Sequence, residues 1–141
     1  MYQELITTTE KAVCHLFIHC CFKDDAFVEA EVDEVAQKFV VLDMHKDLNF
    51  KEEVKNYKSY KTNVTNEKEY LEYLIKLISP ANEAALYSYC LELGLSDEML
   101  DPMEKKLFEM LGNILGLTEE EQSIIQKLMV QREVVKTNKF F

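Results

Sequence analysis

Apolar residues return every three or four positions along most of this chain, the period of helices that bury one face. From Tyr2 to Phe22 the repeating set is Leu5, Val13, Leu16, Phe17 and Cys20, and Lys23-Asp24-Asp25 ends the helix. A second helix begins near Val28 with Val32, Val35, Phe39 and Leu42 inward, and the acids in its first turns suit the positive end of the helix dipole. Asp47 or Asn49 caps a third, which sets Phe50, Val54, Tyr57 and Tyr60 on one side and Lys51, Lys55 and Lys58 on the other. Thr65 and Asn66 offer caps for a fourth helix with Tyr70, Tyr73, Leu74, Leu77 and Ile78 inward; Ser79-Pro80 stops it, because the residue before a proline avoids helical geometry. Asn82 caps a fifth that closes at Gly94, and Asp101-Pro102 opens a sixth with proline at its first position, where a missing N–H costs nothing. Thr118 and Glu121 form a capping box for a seventh, Ile124 to Val130.

The stretch from Ser96 to Glu104, Ser-Asp-Glu-Met-Leu-Asp-Pro-Met-Glu, has a weaker copy between Lys23 and Glu31. Setting Asp24 on Asp97 also sets Phe27 on Leu100, Glu31 on Glu104, Val35 on Phe108 and Ala12 on Ala85. The expected architecture is all-α: a compact bundle of about seven helices with two pseudo-repeats, in a single domain over residues 1–141. The repeat halves fall at about 2–44 and 81–116, with a helical insert at 46–79 and a C-terminal helix at 118–130.

Composition supports this. Hydrophobic residues make up 48% of the chain against three glycines and two prolines, a balance that favours long helices over loops. A formal charge of −10 argues against a nucleic-acid surface and for cations or basic surfaces as partners. The N-terminus lacks a signal peptide's basic start and no apolar run approaches the roughly 20 residues of a membrane span, so the expectation is a soluble, cytoplasmic protein with no membrane insertion. Cys14, Cys20, Cys21 and Cys90 follow no disulfide framework and are expected as thiols.

The two acidic turns are the candidate chemistry. A hard divalent ion takes several oxygen ligands, which carboxylates from a tight turn and the next helical turn can supply. Asp97, Asp101 and Glu104 form one set; Asp24, Asp25 and Glu31 form the other. The pattern is not an EF-hand, since Met99, Pro102 and Phe108 stand where that loop needs an oxygen ligand, a glycine and a glutamate. Helix capping competes for the same residues: Asp101 as N-cap with Glu104 three positions later is an ordinary helix start. His15 and His19, one turn apart beside Cys14, Cys20 and Cys21, suggest zinc, but the cysteines point away from the histidine pair and core packing is favoured. No glycine-rich turn or nucleophile motif accompanies the histidines, so no enzyme is expected.

The residues Leu86 to Leu93, Asp97, Leu100-Asp101-Pro102, Glu104, Leu107 to Leu111 and Leu115-Gly-Leu-Thr-Glu-Glu resemble the TerB-like family of tellurite-resistance proteins. The resemblance covers both halves and implies a compact all-α fold with pseudo-repeats. It further implies acidic residues holding a divalent cation, calcium or magnesium rather than zinc, and a role in tellurite or metal stress with a protein partner in a membrane-associated assembly. The motif aspartates are then Asp24 and Asp97, and the motif glutamates Glu31 and Glu104. This chain departs from the family where Asp25 and Glu98 replace the glycine after each aspartate. The alternative reading is a non-catalytic protein-interaction module in which the acids only cap helices.

Overall fold

The computed structural model describes residues 1–21, 29–44, 46, 48–94 and 102–136. Those residues form eight α-helices and no strand: α1 (Tyr2–Leu5), α2 (Thr9–Cys21), α3 (Glu29–Val41), α4 (Phe50–Tyr60) with a 3-10 turn at Lys61–Asn63, α5 (Glu67–Ile78), α6 (Glu83–Gly94), α7 (Pro102–Ile114) and α8 (Glu119–Lys136).

The extra helix comes from a break that the apolar period does not show. Where one helix is expected from Tyr2 to Phe22, the chain leaves helical geometry at Ile6, with φ −112° and ψ 95°. Thr8 then restarts it: its hydroxyl accepts the Lys11 N–H at 3.2 Å and its carbonyl accepts the Ala12 N–H at 3.0 Å. A run of threonines can cap as well as continue a helix, and here capping prevails because the Tyr73 hydroxyl donates to the freed Ile6 carbonyl at 2.7 Å. The other caps follow the sequence. Asn49 accepts from Glu52 N–H, Asn66 from Glu69 N–H and Asn82 from Ala85 N–H. The Thr118–Glu121 capping box closes in both directions at 3.0 and 3.1 Å. The helix it starts runs to Lys136, beyond the expected Val130.

Two compact units divide the chain, residues 1–79 and 80–141. In the first, α2 is the centre and packs on α3, α4 and α5. Its residues Ala12 to Ile18, Cys20 and Cys21 are all buried, so this helix is covered on every side. In the second, α6 packs on α7 and α8 and buries Tyr87, Cys90, Leu91, Leu93 and Gly94. Gly94 permits the α6–α7 approach: a Cβ there would stand 2.6 Å from the Phe108 ring. Gly112 serves α7 in the same way, since a Cβ would run into the Gln122 side chain, which donates to Asn113 Oδ1 and the Leu117 carbonyl. Helices α3 and α7 are each 13 residues long and begin 73 residues apart; α2 and α6 end 73 residues apart.

Candidate functional site

Of the six acidic positions read from the sequence, Asp24, Asp25, Asp97 and Asp101 lie outside the described residues, and Glu31 lies in α3 with only its backbone described. Glu104 is described. Its side chain is buried in the first turn of α7, with Oε2 3.6 Å from where a Cβ on Gly94 would stand. Among the described residues no three His, Cys, Asp or Glu side chains gather as a metal site.

What the first unit does bring together is its histidines. His15 and His19 lie one turn apart on α2, and each is held by a tyrosine and a glutamate. His15 Nδ1 lies 2.6 Å from the Tyr60 hydroxyl and its Nε2 lies 2.8 Å from Glu53 Oε1. His19 repeats the pattern, with Tyr57 at 2.8 Å and Glu67 at 2.9 Å. Because a carboxylate only accepts, each Nε2 carries a proton and donates it, and the Nδ1 of His15 accepts from Tyr60. Tyr60 can then accept from Tyr70, 2.5 Å away. The result is one directed chain, Tyr70 to Tyr60 to His15 to Glu53.

Burial sets the chemistry of this chain. His15 is fully buried, and desolvation lowers its pKa below 6.5 despite the opposing Glu53 hydrogen bond, so the imidazole is neutral. Desolvation also raises the Tyr60 and Tyr70 hydroxyls and the Cys14 thiol, keeping all three protonated. A thiol held protonated is a poor nucleophile. A cleft of about 240 Å³ opens beside the network, lined by Tyr2, Tyr60, Asn63, Thr65, Asn66 and Glu69. Tyr60 has both histidine and tyrosine on its oxygen, so the network turns inward. These groups fasten α4 and α5 onto α2 through satisfied hydrogen bonds, as buried polar groups require.

The core placement read for the cysteines holds: all four are thiols and all four are buried. Glu53 is the residue that sequence reading missed. Its signal is spacing: Glu53, Tyr57 and Tyr60 stand at i, i+4 and i+7 and share the inner face of α4. Lys51, Lys55 and Lys58 are exposed on the opposite face, as expected.

A different feature stands on α8. Ile124, Leu128 and Val135 are 59%, 59% and 57% exposed, while Gln122 and Met129 on the other side are buried and Gln126 donates to the Tyr87 hydroxyl at 2.9 Å. At about 100° per residue the three exposed side chains fall within roughly 40° of one another, forming one outward stripe with the exposed Gln131 between Leu128 and Val135. Six large apolar side chains are exposed among the described residues, and half of them are on this helix. No described helix is long and apolar enough to cross a membrane, so the stripe is not part of a span.

No curated protein and no solved structure matches the chain. The family model described as tellurite resistance protein TerB matches residues 10–127, from the start of α2 into α8. A match over most of the length, on an all-helical fold, places the sequence plainly: the chain belongs to the TerB family.

Proposed function

We propose that the protein is a non-catalytic protein-interaction module whose contact surface is the outer face of α8. The carrying observation is the stripe of Ile124, Leu128 and Val135, aligned along a well-formed helix and turned away from the α6 contact. A surface helix ordinarily keeps that face polar, and an aligned apolar patch marks a binding surface. Affinity capture from cells compared between wild type and Ile124→Lys/Leu128→Lys tests it. Partners held by wild type and lost by the variant support it; identical capture by both rejects it.

The repeat deepens this reading. With the 73-residue register, the buried positions Cys14, Phe17, Ile18, Cys20 and Cys21 of α2 fall on Tyr87, Cys90, Leu91, Leu93 and Gly94 of α6, all buried. The register also carries α4 onto α8; α4 packs on α2 and α8 on α6. The proposed repeat therefore runs α2–α3–α4 and α6–α7–α8 with α5 added to the first copy, which narrows the helical insert expected at 46–79 to α5.

Cation binding at the acidic turns is a second proposal, favoured by the buried carboxylate of Glu104. One described carboxylate does not make a coordination set. The residues that would complete it are Asp97 and Asp101, with Asp24, Asp25 and Glu31 as the other group. Calorimetric titration with calcium, magnesium, manganese and zinc, repeated on Asp97→Ala and Glu104→Ala, tests it; saturable binding lost in both folded variants supports a site, and only weak surface association rejects it. Tellurite or metal stress and a membrane-associated assembly belong to this proposal.

A further inference from the structure

We infer that the α8 stripe binds a second copy of this chain, through an antiparallel α8–α8 contact about a two-fold axis. This rests on the reading of α8 as the contact surface and names its occupant. The argument is charge placement. Helix α8 is acidic at its start, Glu119-Glu120-Glu121, and carries Lys127 and Arg132 further on. Glu121 and Arg132 are both exposed, and both lie on the same flank of the stripe, about 60° and 80° round from Ile124 at 100° per residue.

A two-fold axis at the level of Gln126 sets Ile124 against Leu128 of the second copy, and Leu128 against its Ile124. Such an axis keeps each flank facing the same flank of the other helix. Glu121 then meets Arg132 of the second copy within about one residue of level, and the pair occurs twice. Val135 falls opposite Leu117, the partly exposed residue just before the helix. A parallel pairing would instead bring the acidic starts together and align the helix dipoles, so the two Glu121–Arg132 pairs favour the antiparallel arrangement, against one approach of Lys127 to Lys127 of the second copy on the other flank near the axis. An isologous two-fold contact of this kind needs only one self-complementary patch.

Three or four apolar side chains per copy make a small interface, below the roughly 1,200 Å² typical of stable complexes, so a weak, concentration-dependent association is expected. Sedimentation equilibrium of the full chain across about 5–500 μM reads this directly. Wild type is expected to pass from monomer to dimer. Leu128→Lys should remain monomeric, with an unchanged helical circular dichroism spectrum. Arg132→Glu should weaken the dimer about tenfold, and Glu121→Lys added to Arg132→Glu should recover most of that loss with the helical circular dichroism spectrum unchanged, a check required because Glu121 also accepts the Thr118 N–H that caps α8.

A wild-type mass of one chain at every concentration overturns the inference. A dimer untouched by Leu128→Lys overturns it as well, and failure of the double charge reversal to recover association overturns the antiparallel pairing. If wild type is monomeric while captured partners still depend on Ile124 and Leu128, self-association fails and the interaction-module reading stands. If neither depends on the stripe, both fail.

Discussion

Under the proposed repeat, α4 and α8 are the same helix placed in two units, and their outer faces were finished in opposite ways. Lys51 and Lys55 occupy on α4 the positions that Ile124 and Leu128 occupy on α8, and all four side chains are exposed. Inner faces differ less. Glu53 and Gln126 hold the same position, and both reach polar groups on the helix beneath, His15 for the first and Tyr87 for the second. The comparison teaches that the inner face is dictated by packing on α2 or α6, whereas the outer face is free to be chosen for something else. A lysine face keeps a helix solvated; an apolar face at the same position invites a partner.

The helices beneath differ for a related reason. Helix α2 is covered by α5 as well as by α3 and α4, so its polar positions His15 and His19 need partners and find them in Tyr60, Glu53, Tyr57 and Glu67. In α6 the same positions are Ser88 and Glu92, each only partly buried, and the Ser88 hydroxyl returns to its own helix at Ala85 O.

The sharpest way to separate the two inner faces is to truncate their paired positions. Glu53→Ala leaves the His15 Nε2–H buried without an acceptor and should cost about 2–4 kcal/mol, whereas Gln126→Ala removes one partly buried bond and should cost about 1 kcal/mol. Urea denaturation of both variants checks the ranking. Equal costs would mean that the two inner faces are held alike.

Next in size is the α6–α7 contact. Gly94→Ala places a methyl against the Phe108 ring and should cost about 1–3 kcal/mol by overpacking. Cys21 and Val35 hold these two positions in the first unit, so adding Phe108→Val to Gly94→Ala imitates that pairing and should recover part of the loss. Strict additivity in the double-mutant cycle would show that the two sites do not share a contact.

A smaller effect is expected from pH. His15 has a folded pKa below 6.5, so below that value the unfolded chain binds the extra proton and the folded one does not. Stability contributed by this group is therefore complete above about pH 6.5 and falls as pH drops toward the folded value. All three histidines of the chain are in the first unit, so segment-resolved hydrogen exchange between pH 7 and pH 5.5 should show protection falling in α2 and α4 before α6 and α8. Uniform loss would remove the histidines as its cause.

The smallest expected effect on stability comes from exchanging the outer faces. Leu128→Lys and Lys55→Leu should each stay within about 0.5 kcal/mol of wild type, because both positions face water. Association should nevertheless follow the leucine. A Leu128→Lys protein that loses stability by much more would show that the stripe is part of the fold.

Sequence alone determined the helical class, most helix ends and the inner faces, because a 3.6-residue apolar period and side-chain caps act within one or two turns. Asn49, Asn66, Asn82, Thr118 and Gly94 could be read for that reason. The acidic turns were legible as a pattern, and what they bind is left to titration. Tertiary structure decided the rest. The break at Thr8 depends on a hydroxyl from Tyr73, 67 residues away from Ile6 in the chain, and Glu53 became a core residue only because His15 stands 38 residues earlier on a helix packed against it. Local periodicity carries no signal for such partners, since a buried polar group is satisfied by whatever the fold brings to it. The exposure of Ile124, Leu128 and Val135 was equally hidden, because an apolar stripe in sequence looks the same whether a neighbouring helix covers it or leaves it bare.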